Sequence, residues 1–128
     1  MNCLSWNCRG AGNLRTVRDL VALVGAHSPE FVFLCETRIK AEKVCRLRGR
    51  LGLSGFAGCD SNGLSGGLAL FWSDQIFVDV QEVNERYIDA YVRVSDSDPL
   101  WHLTCVYDET RVENRHLMWE SLQRLKTG

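Results

Sequence analysis

Two short apolar runs near the front of the chain each end in a single polar residue. The run over residues 2–7 ends at Asn7, and Phe31-Val32-Phe33-Leu34-Cys35 ends at Glu36. The first reads as a strand, broken by the Gly10-Ala11-Gly12-Asn13 loop. The second is apolar without alternation, the pattern of a strand covered on both faces. Between them Val17, Leu20, Val21 and Val24 fall at i, i+3, i+4 and i+7, which predicts an amphipathic helix. Asn13 is placed to cap its start, and Gly25 with the Ser28-Pro29 turn to close it. A second helix is expected over 39–51, with Val44, Leu47 and Leu51 along one stripe.

Beyond Leu51 the pattern changes. Phe56-Ala57-Gly58 leads into the turn Asp60-Ser61-Asn62-Gly63, and Gly66-Gly67 opens a strand over 68–72. Ile76, Val78 and Val80 alternate with Phe77, Asp79 and Gln81, and Ile88, Ala90, Val92 and Val94 alternate with polar neighbours. That alternation predicts a sheet with one face wetter than the other. A strand over 101–107 follows. Thr110 and Glu113 then have capping-box spacing, ahead of a stripe of Met118, Trp119, Leu122 and Leu125. The order is β-α-β-α, then a β meander and a helix. No repeat, low-complexity stretch or linker divides it, so residues 1–128 read as one α/β unit.

Composition narrows the classes. A 128-residue chain with 45% apolar and 24% charged residues has the make-up of a globular domain. Fifteen basic and sixteen acidic residues leave a net charge of −1, which argues against a free-standing, charge-driven nucleic-acid binder. The six cysteines form no CxxC pair, and Cys3, Cys35 and Cys105 sit in apolar runs, so neither a disulfide framework nor a zinc site is expected. No basic segment precedes an apolar one at the start, and no apolar run is long enough to span a bilayer. The expectation is an intracellular protein, of nucleus or cytoplasm, with no membrane partner and no small-molecule cofactor.

In an open α/β sheet, ligands gather where strands end, so Asn7 and Glu36 are candidates for one shared site. Glu36 offers the hard oxygens that Mg²⁺ prefers, or it is an acidic helix-start residue of the stretch beginning at Thr37. Asn7 can orient a phosphate through its donor and acceptor, or merely end a strand. Tyr107, at the end of its own strand, can donate a hydrogen bond to a phosphate oxygen. Arg9 either contacts phosphate or is a solvated loop residue. Arg38, Lys40, Lys43, Arg46, Arg48 and Arg50 oppose a single acid, Glu42, which gives a helix able to track a nucleic-acid backbone or a solvated basic face. The glycines of Ser65-Gly66-Gly67 lack the spacing and the lysine of a phosphate-binding loop, so they read as structural.

Leu4-Ser5-Trp6-Asn7-Cys8-Arg9-Gly10, answered by Phe33-Leu34-Cys35-Glu36-Thr37-Arg38, by Ser65-Gly66-Gly67-Leu68-Ala69-Leu70-Phe71-Trp72 and by the strand-end Tyr107, resembles the endonuclease/exonuclease/phosphatase superfamily. Within it the chain looks most like the N-terminal part of the endonuclease domain of plant LINE-type (non-LTR) retrotransposon polyproteins, the domain associated with their reverse transcriptase. The resemblance implies roughly the first half of a two-sheet α/β sandwich and a hydrolase that cuts DNA phosphodiesters with Mg²⁺ (or Mn²⁺). It implies Glu36 as metal ligand and Asn7 and Tyr107 as catalytic residues. By position and charge, Arg9, Arg38, Lys40, Lys43 and Arg111 are weaker candidate nucleic-acid contacts, Arg111 being otherwise an exposed first-turn residue.

The chain departs from that family in three places. Arg9 stands where the DNA-repair members tend to carry an acid. Asp108-Glu109-Thr110 follows Tyr107 where the family reads Gly, a variable residue, then Pro, which sets two acids beside a phosphodiester site. The Asp-X-Asn motif expected soon after Lys126 and the later Ser-Asp-His motif are absent, and none of His27, His102 and His116 is in the matching context. The expectation is therefore an inactive portion of the enzyme domain, with the second sheet mostly missing. The uncovered apolar face of the first sheet would invite self-association. The alternative is a non-catalytic interaction or nucleic-acid-binding module using the basic 38–50 stretch.

Overall fold

The computed structural model describes residues 2–107. Strand β1 (Cys3–Asn7) leads through helix α1 (Leu14–His27) to β2 (Phe31–Cys35). Two short helices follow, α2 (Ala41–Cys45) and α3 (Arg48–Leu51), and then β3 (Gly55–Cys59) and β4 (Leu68–Trp72). The remaining strands are β5 (Phe77–Val83), β6 (Tyr87–Arg93) and β7 (Trp101–Val106). They form two sheets, β1-β2-β4-β3 and β5-β6-β7, with β1 and β2 parallel and every other pair antiparallel.

The continuous apolar run of β2 has the predicted cause. Phe31, Phe33 and Cys35 join Leu68 and Leu70 of β4 on one face, against Ile88, Ala90 and Val92 of β6 and Leu103 and Cys105 of β7. Val32 and Leu34, with Ala69 and Phe71, face the other way onto Leu20 and Val24 of α1, Val44 of α2 and Leu51 of α3. The second sheet buries alternate residues only, and Tyr91, His102 and Val106 of its outer face are exposed. This covering corrects two expectations. The second sheet is present as three strands, and the inner face of the first is sealed, with Phe31, Leu68 and Leu70 fully buried. The face through which self-association was expected is thus not open to a partner.

Local chemistry sets the boundaries. Asn13 caps α1, its Oδ1 accepting from the Arg15 amide at 2.8 Å. The helix runs through Gly25 and ends at Ser28, whose left-handed backbone precedes Pro29, a residue that disfavours helical geometry before it. The single helix expected over 39–51 is two short ones. Residues 37–39 are held instead by the Gly66-Gly67 segment and by Ser61, whose amide donates to the Ile39 carbonyl. Helix α2 therefore starts only at Ala41, whose amide donates to Asp60 Oδ1 at 2.7 Å. Its last turn tightens to i,i+3 bonds, and the Arg48 guanidinium takes the Cys45 and Ser54 carbonyls. Val44, Leu47 and Leu51 still pack together into the layer below, as their spacing predicts.

Edge strand β3 has two glycines and no strand signature in the sequence. Its glycines are demanded by packing: a Cβ at Gly55 would lie 1.9 Å from the Trp72 indole nitrogen. Among the described residues none of the six cysteines forms a disulfide. Burial, with some repulsion from Glu30, pushes the Cys3 thiol up to about 12, so it behaves as the small hydrophobe that its setting predicts.

Gly55→Ala should lower stability by about 1–3 kcal/mol through overpacking on Trp72, measured by urea unfolding. Gly25→Ala, inside α1 with open space around its Cβ position, should instead raise stability by about 0.5–1 kcal/mol. Opposite signs from the same chemical change would confirm that packing, rather than glycine itself, decides.

Candidate functional site

Parallel pairing sets Asn7 opposite Cys35, so β1 and β2 end side by side. Alternation from Cys3 puts Asn7, which is exposed, on the face turned toward the second sheet. Immediately beyond, the backbone is unusual. Arg9 (φ 51°), Glu36 (φ 55°) and Arg38 (φ 60°) are left-handed, and Ser28 is the only other such non-glycine residue among those described. Each costs on the order of 1 kcal/mol and persists only where its surroundings over-determine it.

The surroundings here do so. The amides of Cys8, Gly10 and Ala11 donate to the carbonyls of Cys35, Glu36 and Thr37 at 2.8–3.1 Å. From the other side, Thr37 and Arg38 donate to Gly67 and Gly66 at 3.2 and 2.8 Å. The buried Cys8 thiol lies 3.3 Å and 3.5 Å from the Cys35 and Glu36 carbonyls. Gly67 is needed for this closeness, because a Cβ there would sit 2.0 Å from Thr37 Oγ1. That hydroxyl is buried without a hydrogen-bond partner among the described residues. Three segments, 8–11, 35–38 and 66–67, are thus laced into one rim. Sequence reasoning gave Cys8 no role of its own and read the glycine pair as a strand entry. The adjacent glycines were the signal of a close approach.

On this rim the Glu36 carboxylate keeps 20% of its side-chain surface accessible. The Tyr107 hydroxyl donates to Oε1 at 2.9 Å, while Arg38 Nη2 is 3.8 Å from Oε2. Tyr107 follows β7 directly, and its own amide donates to the Arg86 carbonyl at 2.8 Å. Its phenol therefore spans from the second sheet to the first. The helix-start account of Glu36 fails, since α2 begins five residues later with Asp60 at its first amide.

The remaining candidates scatter. Arg9 is exposed, and its carbonyl lies 3.5 Å from Arg38 Nη1. Lys40 pairs with Asp60 at 4.0 Å, and Arg46 pairs with Glu42 at 3.6 Å. Lys43 is exposed on α2. With Arg48 bonded to backbone, the basic stretch is less free than its composition implied. His27 closes α1, and His102 pairs with Asp89 on the outer face of the second sheet. Arg111, His116 and the capped stretch from Thr110 lie outside the described residues. Asp60-Ser61-Asn62 carries the letters Asp-X-Asn, but it serves the turn between β3 and β4 and the start of α2.

The donors at the rim are hard oxygens, the Glu36 carboxylate and the Asn7 carboxamide. Among the described residues no group of three or more His, Cys, Asp or Glu could hold a metal ion. A single carboxylate does not make a zinc cage, but it suits a Mg²⁺-like ion that keeps most of its waters. The residues fit such an ion.

Comparison with known proteins bears on the family and the fold. The family model described as the endonuclease/exonuclease/phosphatase family matches residues 4–125. A search of curated sequences finds no match. Among solved structures, the AP endonuclease LMAP from Leishmania major is similar at TM-score 0.61 and 12% identity, over 97% of this chain and 47% of that one. The APE2 catalytic domain of Xenopus laevis is similar at 0.57 and 17%, over 98% and 52%. The 3′ phosphatase NExo from Neisseria, bound to product DNA hairpin, is similar at 0.56 and 14%, over 98% and 51%. At such identities these likenesses speak to fold, and the chain spans about half the length of each neighbour. Among the described residues no helix is long and apolar enough to cross a membrane. With the family match running across nearly its whole length, the chain belongs to the endonuclease/exonuclease/phosphatase family.

Proposed function

We propose that this chain carries the Asn7–Glu36–Tyr107 part of a Mg²⁺-dependent phosphodiesterase site that acts on DNA. The observation that carries the reading is the Tyr107–Glu36 hydrogen bond, which gathers the ends of two different sheets around one partly exposed carboxylate. Family membership supplies the reaction class, and the Neisseria neighbour's product DNA hairpin supports the substrate class.

Each residue has a role its chemistry allows. Glu36 would hold the cation, its backbone fixed on both sides so that little reorganisation would be needed on binding. A divalent ion there would neutralise phosphate charge and acidify a bound water. The Asn7 carboxamide can donate to a phosphate oxygen. Tyr107 has one O–H, so it donates to Glu36 or to a phosphate oxygen but not to both at once. It is therefore a positioning group first. Nothing among these three supplies a general base, a contribution of about 10²–10⁴-fold.

The finer reading is a retrotransposon origin of the plant LINE type, supported by Trp6-Asn7-Cys8-Arg9-Gly10 and by the glycine-led entry to β4. It carries with it an intracellular, nuclear or cytoplasmic site of action. The 128-residue chain alone is read as inactive, because the Asp-X-Asn and Ser-Asp-His motifs of the family are absent from it in the matching positions.

Two measurements test this. In a supercoiled-plasmid assay with Mg²⁺, the chain should nick no more than Glu36→Gln does. Nicking abolished by that substitution would sink the inactive reading. In a Mn²⁺ titration followed by the electron paramagnetic resonance of free Mn²⁺, Glu36→Gln should weaken binding at least about tenfold, the scale of a lost ligand or its support. Unchanged binding would remove Glu36 as the metal ligand, and the proposed site with it.

A further inference from the structure

The structure points to an unassigned role for Arg38. We infer that Arg38 is the internal counter-ion of Glu36, a positioning residue that competes with a divalent cation for that carboxylate. The inference rests on Glu36 being the metal ligand, as proposed above.

Three observations converge. First, the two Glu36 oxygens are divided: Tyr107 donates to Oε1, and the Arg38 guanidinium stands 3.8 Å from Oε2. Oε2 is the oxygen left for a cation, and Arg38 is the charge already beside it. Second, Arg38 is fixed in place. Its amide donates to the Gly66 carbonyl at 2.8 Å, and its Nη1 lies 3.5 Å from the Arg9 carbonyl. Its backbone is left-handed, φ 60°, a conformation where glycine would be the comfortable residue. On this backbone the long cationic side chain reaches the Glu36 carboxylate. Third, the guanidinium keeps 40% of its side-chain surface in water. Exposed pairs are weak, so a dication can displace this one.

This arrangement has a consequence for the empty and loaded states. Without a metal, Arg38 offsets the Glu36 charge and holds the carboxylate at the rim in the orientation Tyr107 sets. A dication held by Glu36 would place a second positive charge beside Arg38. Arg38 therefore lowers cation affinity while keeping the ligand preorganised. Its place is on Glu36 more than on a nucleic-acid backbone, which changes its reading from a weak phosphate contact to a regulator of the metal site.

The test is Mn²⁺ affinity rather than turnover, read on the whole chain from the resonance of free Mn²⁺. Arg38→Gly removes the guanidinium and suits the left-handed backbone, so folding is retained, and thermal unfolding checks that it is. This variant should bind Mn²⁺ about two- to fivefold more tightly, the scale of an exposed ion pair removed. The gain should shrink as ionic strength rises. Arg38→Lys, which keeps the charge, should stay near the parent. A merely structural Arg38 would move affinity the other way, because a loosened rim binds worse. Unchanged or weaker Mn²⁺ binding by Arg38→Gly, with Glu36→Gln still losing its binding, overturns the counter-ion role alone. Parent-like binding by Glu36→Gln overturns the metal-ligand assignment beneath it.

Discussion

Strand β2 has no face left over for water. Phe31, Phe33 and Cys35 are pressed against the second sheet, while Val32 and Leu34 are pressed against the helices. Every neighbour in the first sheet takes its register from it, β1 on one side and β4 on the other. A slip of one residue would exchange the two faces, which are filled by different partners, so the register is strongly specified. The consequence is positional. Cys35 ends the strand opposite Asn7 and Leu68, and the next residue, Glu36, has one place to go. The site is where a strand buried on both faces runs out.

Rigidity then passes from the core to the rim through backbone rather than side-chain packing. Amides of the 8–11 loop and carbonyls of Gly66 and Gly67 take up the polar groups of 35–38, so the left-handed residues have no cheaper conformation within reach. Tyr107 closes the arrangement from the second sheet. Because β7 is held by the inter-sheet core through Leu103 and Cys105, its end is positioned as firmly as that of β2. Both arms of the hydrogen bond are thus set by burial.

The legible parts of the sequence were those whose pattern had a single physical cause. The unalternating β2 run, the alternation in β5 and β6, and the Asn13 cap each corresponded to one requirement and appeared as expected. Glu36, Asn7 and Tyr107 could be nominated because a lone polar residue after an apolar run marks a strand end. What the sequence concealed depended on contacts between distant segments. Asp60 starting α2, Trp72 covering Gly55 and the Gly66-Gly67 clamp on Thr37 and Arg38 have no local signature. How far the basic stretch is engaged was hidden for the same reason, since composition counts charges but not the carbonyls and carboxylates beside them. The three-stranded second sheet was underestimated because its strands are one-sided, and only stacking on β2 and β4 gives them a core.

The central claim is that Tyr107 and Glu36 join the two sheets through one charge-assisted hydrogen bond at the rim. A double-mutant cycle with Tyr107→Phe and Glu36→Ala, each of which removes the bond, measures its coupling by urea unfolding. The account predicts a coupling of about 1 kcal/mol, the scale of a partly exposed hydrogen bond to a charged group. Additive effects, with coupling within about 0.3 kcal/mol of zero, would contradict it.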